Sequence, residues 1–245
     1  MIILKDIIQN YLMGNKFIAD VARKFHNTGV NSDSEKLKTL LNYYSAKISF
    51  KNKKILEIGP GQTFDILFKA LEDGAEYCAA LDIANYPNKQ FSEIDFKIYD
   101  GKKFPFNDKT FDLIISNDAF EHLRFPEITV EECGRVLISG GIMIVQIDLS
   151  DHYNLNDDSK IFECLKYGEN LWRKMTSNRS SFVNRLRYSG WKNIFESTKF
   201  KIISEEIVEN DYIKKNYLSI DYLKKLNEKD ASVQRINYVL KKEIL

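Results

Sequence analysis

From residue 53 onward, apolar residues fall in short continuous runs separated by stretches of helical spacing. The first run covers residues 55–59, after which Phe64, Leu67, Phe68 and Leu71 share one helix face that ends at Gly74. Further runs at 77–83, 96–99, 111–116 and 142–149 predict four more strands, with a helix over 129–137 closed by Gly140 and Gly141. Short apolar strands alternating with helices predict a parallel sheet covered on both faces, an α/β doubly wound architecture. Upstream, Leu37, Leu40, Leu41 and Tyr44 recur at helical spacing behind a cap at Asp33 or Ser34, so residues 1–52 are expected to form an N-terminal helical cap.

After Leu149 the rhythm breaks. Residues 150–189 mix Asn, Asp, Ser and Arg with Trp and Tyr, which predicts an insertion lying outside the strand ends. Regular structure resumes with a helix at 191–197, a strand at 200–208 and a late strand at 233–240, so that 53–245 reads as one domain with an insertion after its fifth strand.

Composition narrows the function classes. Of the 245 residues, 44% are hydrophobic and 29% charged, a globular balance that excludes disorder and fibrous repeats. Thirty-six basic residues against thirty-five acidic ones leave a net charge of +1, so no global field draws the chain to nucleic acid or to an anionic membrane. No apolar stretch approaches the roughly 20 residues that span a bilayer, and Met1 to Asp6 carry no basic leader. A cytoplasmic protein without nucleic-acid or membrane partners is expected. Cys78, Cys133 and Cys164 are odd in number and widely spaced, which predicts small buried hydrophobes and not a disulfide or zinc framework.

The chemistry begins at Ile55-Leu56-Glu57-Ile58-Gly59-Pro60-Gly61, a buried strand running into a glycine turn that opens a helix. Glycines there let a ligand approach the backbone, and an acidic side chain beside the turn binds a ligand hydroxyl or amine. Phe64 stands where a dinucleotide fold would carry its third glycine, so the turn suits a cationic, phosphate-free nucleoside better than a pyrophosphate. Asp82 and Ile83 end the next strand about twenty residues on, where a carboxylate grips ribose hydroxyls. Asp100-Gly101 closes the third strand, and the run Pro105-Phe106 to Phe111-Asp112, Ser116 and Glu121-His122-Leu123 follows.

In that order and spacing these residues resemble class I S-adenosylmethionine-dependent methyltransferases, above all the small-molecule branch, from Lys53 to Leu149 closely and more loosely beyond. The resemblance implies a seven-stranded, mostly parallel Rossmann-like sheet whose last strand is antiparallel. It implies that Glu57, Gly59 and Gly61 line the methionine end of the cofactor, Asp82 meets the ribose with Ile83 among the cofactor-binding residues, Asp100 and Gly101 meet the adenine, and Asn117 and Asp118 lie beside the sulfonium. Ser116-Asn117-Asp118-Ala119 departs from the proline-rich motif that methylates amino groups on bases. Two other readings stay open, a NAD-dependent oxidoreductase and a non-catalytic nucleoside-binding subunit.

On the acceptor side, His122 and His152 follow the fourth and fifth strands at the carboxyl end of the sheet, where ligands bind in open α/β folds, whereas His26 does not. Either is a candidate catalytic residue, with His152 the candidate general base for a hydroxyl acceptor and His122 otherwise structural. Tyr153, Arg185 and Arg187, with Arg179 and Trp191 nearby, are candidate acceptor-binding residues, since guanidinium pairs suit phosphate; a solvated helix face is the alternative. The stretches 148–153 and 184–187 resemble methyltransferases encoded with bacterial surface-polysaccharide clusters. That resemblance implies O-methylation of a small-molecule acceptor, which is phosphorylated or nucleotide-linked in some cases: a sugar, a nucleotide-linked sugar or a phosphoramidate. The N-terminal helices, with Tyr43 and Tyr44, are expected to close over the cofactor as a lid, with ordinary packing against the outside of the sheet the alternative.

Overall fold

The computed structural model describes residues 2–23, 34–85, 92–153, 156–198 and 200–243; Asp33 and His26 lie outside them. Seven strands form one sheet: β1 (Lys54–Ile58), β2 (Tyr77–Asp82), β3 (Asp95–Ile98), β4 (Phe111–Asn117), β5 (Leu137–Asp148), β6 (Phe200–Glu209) and β7 (Val233–Lys242), in the order β3-β2-β1-β4-β5-β7-β6. The first five run parallel, and β7 pairs antiparallel with both β5 and β6. The strand order reverses between β1 and β4, which opens a crevice at the carboxyl edge of the sheet. The expected seven-stranded Rossmann-like architecture is present.

The helices are α1 (Ile2–Met13), α2 (Lys16–Arg23), α3 (Ser34–Ser45), α4 (Asp65–Glu72), α5 (Pro126–Val136), α6 (Glu169–Thr176), α7 (Tyr188–Ser197), α8 (Asp211–Asn216) and α9 (Glu228–Ser232). Alternation along the central strands sends neighbouring residues to opposite faces. Ile55, Ala80, Leu113 and Ile115 pack with Leu40 and Tyr44 of α3 and with Ile66 and Leu67 of α4. Leu56, Leu81, Ile114 and Val145 pack with Val130 and Cys133 of α5 and with Trp191 and Phe195 of α7. Strands apolar on both faces are therefore buried on both, whereas edge strand β3 is short and leaves Ile98 exposed. The three cysteines are free and buried.

Three expectations need correction. The helix before β5 stops at Val136, and Gly140 and Gly141 lie inside β5, where the register against β4 shifts between Phe111 and Leu113; Gly140 takes φ +75° to make that excursion. Tyr44 is fully buried in the core and Tyr43 meets it edge to face, so these rings are sheet packing, and the N-terminal helices present Met13 and Lys36 to the crevice instead. In the insertion after β5, Ile161 and Phe162 share a small core with Ile213, Leu223 and Ala231 from a second excursion between β6 and β7.

The third correction concerns Arg187. Its guanidinium is buried against the Phe162 ring and donates to three backbone carbonyls, those of Asp230 at 2.7 Å, Leu149 at 2.8 Å and Val233 at 2.7 Å. Burial lowers its pKa to about 10, which still leaves it charged at neutral pH. Each of its three nitrogens is bonded to a carbonyl that joins the insertion to the chain around the ends of β5 and β7, and Arg187 does not line the cavity. Arg187→Ala would strand three buried carbonyls, each costing about 1–3 kcal/mol. The expected result is a loss of about 3 kcal/mol or more in denaturant unfolding, and an unchanged midpoint would refute this structural role.

Candidate active site

The carboxyl edge of the sheet holds a cavity of about 710 Å³, within the range of small-molecule and cofactor sites. Its floor is the turn after β1. Gly59 and Gly61 adopt φ of +72° and +71°, and a Cβ on Gly59 would lie 2.4 Å from the Ala119 Cβ, so only glycine fits. The turn is pinned by the Gly59 amide donating to the Leu81 carbonyl (2.9 Å) and by the Ser116 hydroxyl donating to the Ile58 carbonyl (2.8 Å). Phe64 is buried with its ring 5.6 Å from Phe96, a packing role in place of the missing third glycine.

Carboxylates collect at the strand ends. Asp82 is buried at the end of β2 and accepts from the Ile83 amide (2.7 Å). Asp100 accepts from the amides of Lys102 (2.8 Å) and Lys103 (2.9 Å), which shape the turn around Gly101 (φ +82°) and hold its pKa below the usual carboxylate range. Asp82, Ile83, Asp100, Gly101 and Asn117 all line the cavity with Gly59 and Gly61. Glu57 does not reach it. It lies beneath the turn, 5% exposed, with Oε2 lacking a hydrogen-bond partner, and burial followed by the charges of Asp65 and Asp82 pushes its pKa up to about 8. A buried, under-partnered carboxylate below two more acids and a glycine cradle suits a cationic ligand that carries ribose hydroxyls and no phosphate.

Across the cavity stand the two histidines. His122 and His152 meet edge to face with ring centroids 4.9 Å apart, and both line the cavity. The Nδ1 of His122 donates to the Phe182 carbonyl (2.6 Å), which leaves Nε2 with its lone pair available. Burial, and then His152, lower the His122 pKa to about 4, so the ring is neutral at neutral pH. Behind them Glu121 is 2% exposed with neither carboxylate oxygen partnered by another residue. Asp118, held at φ +50°, pairs with Arg235 of β7 at 2.7 Å.

The remaining predicted acceptor residues do not line the cavity. Arg185 donates to the carbonyls of Cys164 (3.2 Å) and Tyr167 (2.6 Å), pairs with Glu169 and lies over Trp172, which makes it a brace for the turn leading into α6. Tyr153 bonds Ser181 (3.0 Å) and underlies Arg179 at 5.2 Å. It is Arg179, tied to Asp6 of α1 at 2.7 Å, that reaches the cavity wall, together with Arg124 and Lys36. Only the basic character of residues 179–187 signalled this wall in the sequence; which guanidinium faces inward depends on contacts to α1 and to the strand ends.

A profile described as a methyltransferase domain matches residues 56–145. Comparison with curated protein sequences gave no match. Among solved structures, an S-adenosylmethionine-dependent methyltransferase from Mesorhizobium loti superposes with a TM-score of 0.58 at 14% identity, covering 84% of this chain and all of the other. A methyltransferase of the same description from Methanosarcina mazei gives 0.57 at 12% identity, covering 83% and 98%. The cyclase SpnF gives 0.56 at 13% identity, covering 90% and 86%. These likenesses share the fold. The domain match brings S-adenosylmethionine as cofactor, and the acidic, glycine-floored half of the cavity fits that cation.

The raised pKa of Glu57 has a consequence for stability. A carboxyl whose folded pKa lies near 8, above an unfolded value near 4.5, favours the fold fully below the lower value and loses that contribution as pH rises through the upper one. For cofactor-free protein, the melting temperature of Glu57→Gln should therefore gain on that of wild type as pH rises from the lower value to the upper. Parallel melting curves across this window would show that Glu57 is not held neutral.

Proposed function

Because residues 56–145 carry a methyltransferase domain, we propose that the protein moves the methyl group of S-adenosylmethionine onto an oxygen of a small-molecule acceptor held in the same cavity. One observation carries this reading: the paired His122 and His152 open into the cavity that the glycine turn floors, facing it from the opposite side. Arg179, Arg124 and Lys36 beside them favour an acceptor with an anionic group, such as a sugar phosphate, a nucleotide-linked sugar or a phosphoramidate of bacterial surface-polysaccharide synthesis, a cytoplasmic task. No helix among the described residues is long and apolar enough to cross a membrane.

The bound cofactor supplies an electrophilic methyl group on a sulfonium. The chain's own residues supply the rest. Gly59 and Gly61 let the cofactor lie against the backbone, Asp82 and Asp100 offset its charge and hold its hydroxyls, and Ile83 packs beside them. Asn117 stands at the end of β4 between this half and the histidines. Arg179 anchors the acceptor, so that its hydroxyl is presented to His152, which manages the loss of the proton; alignment and exclusion of water do most of the remaining work. A nicotinamide reading is disfavoured by Phe64, whose buried ring occupies the place of the phosphate-cradling glycine.

Asp82→Ala should weaken S-adenosylhomocysteine binding by about 1–3 kcal/mol in calorimetry, the scale of a hydrogen bond to a charged group; unchanged affinity would move the ribose elsewhere. With labelled S-adenosylmethionine and a panel of phosphorylated and nucleotide-linked sugars, the methyl group should appear on oxygen. His152→Ala should cut kcat by about 10²- to 10⁴-fold while leaving cofactor affinity intact. Methyl transfer to nitrogen, or wild-type turnover in that variant, would refute the assignment.

A further inference from the structure

Among the described residues, Glu121, His122 and His152 form a group of three metal-donor side chains whose ligand atoms all lie within 4.8 Å of one another. Three features of the group are unusual for a site meant to stay vacant. The Glu121 carboxylate is 2% exposed and receives no hydrogen bond from another residue, a costly state for a buried polar group. His122 donates Nδ1–H to the Phe182 carbonyl, the arrangement that orients a metal-binding imidazole and leaves Nε2 as the donor atom. Asp118 and Asp148 flank the group, and the cation bonded near them is Arg235, at 2.7 Å from Asp118 and 3.9 Å from Asp148. Two further carboxylates, paired with Arg235, thus lie beside the three donor side chains.

We propose that Glu121, His122 and His152 bind one divalent first-row transition cation, and that its open positions face the cavity and take up the acceptor oxygen. Two imidazoles and one carboxylate suit zinc, cobalt, manganese or iron in the divalent state, whereas magnesium and calcium prefer all-oxygen shells. Bonds of about 2.0–2.1 Å place tetrahedral ligands about 3.4 Å apart, so the present spacing closes inward on the ion. His122 and His152 line the cavity and Glu121 lies behind them, which puts the protein ligands on one side and leaves the other side for substrate. An acceptor hydroxyl held there would release its proton to solvent more readily, as metal-bound water does.

This inference deepens the methyl-transfer reading and rests on it for the identity of the oxygen. It also separates two roles for His152. A free imidazole base needs His152 alone, whereas a cation site needs Glu121 as well.

The test is calorimetric titration of tag-free, metal-stripped protein with Co²⁺ and Zn²⁺, with Mg²⁺ as comparison, followed by the Co²⁺ visible spectrum. One equivalent of Co²⁺ or Zn²⁺ should bind with ligand-field bands of a site containing imidazole, and Mg²⁺ far more weakly. Loss of an orienting partner alone costs 10- to 100-fold in affinity, so Glu121→Gln and His152→Ala should each weaken binding by about 10-fold or more. S-adenosylhomocysteine binding by both variants serves as the control for folding, and because His152 is only half-buried its variant tests the site even if Glu121→Gln fails to fold. No binding of either ion by wild type, or binding that survives both substitutions, would overturn the proposal. Wild type that binds the ions but not S-adenosylhomocysteine would instead refute the methyl-transfer reading and leave the cation site standing.

Discussion

The acceptor half of the cavity depends on how one irregular segment, residues 182–187, is fastened to the sheet. It has no strand partner, so its backbone groups and side chains must find bonds elsewhere. The Phe182 carbonyl accepts from His122, the Asn184 amide donates to the Glu121 carbonyl at 2.7 Å, and the Asn184 side chain donates to the Phe120 carbonyl at 2.9 Å. Arg187 then closes the segment onto the ends of β5 and β7. The consequence is mechanical: the segment fixes the His122 ring from one side while residues 178–182 form the cavity wall on the other. A loop that looks like substrate-binding surface is thus the clamp that positions the surface next to it.

Electrostatics divides the cavity in the same way. At the β1 and β2 ends burial, and then the charges of Asp65 and Asp82, hold the Glu57 carboxyl protonated beneath the glycine turn, and Asp82 and Asp100 supply the acidic lining of the cavity. On the far wall Arg179 is already partnered by Asp6 and packed on Tyr153, so its charge is held in place without being exhausted, since a guanidinium has five donors. A cation-seeking floor and an anion-seeking wall within one cavity orient two unlike ligands toward each other. Arg235 and Asp118 sit at the seam and keep the Asn117 turn in a left-handed conformation that a free chain would seldom adopt.

How much of this was legible in the sequence follows from how local each feature is. The strands, the glycine turn and the acids at 57, 82 and 100 all sit within the βα units that form them, and a period of two or of 3.6 residues reveals such units without a partner. Gly140 and Gly141 misled because a glycine pair after a helix reads as a cap, whereas here the register shift against Phe111 and Leu113 demands it. Arg187 misled for a deeper reason. Its three acceptors belong to residues 149, 230 and 233, and nothing within the segment itself announces carbonyls contributed from so far along the chain.

The same distinction explains why the two histidines were found but their relation was not. Each could be placed at the carboxyl edge by counting strands, yet their 4.9 Å approach depends on β4 and β5 being neighbours in register, Asn117 opposite Gln146. Once that pairing is set, the turns that follow the two strands must come together, and the residues on them become a cluster whatever lies between them in sequence. Glu121 joins that cluster because the short turn from Phe120 to His122 carries it inward. A parallel sheet thereby makes chemistry out of residues thirty positions apart, and the segment at 182–187 supplies the one carbonyl that settles which nitrogen of His122 faces the cavity.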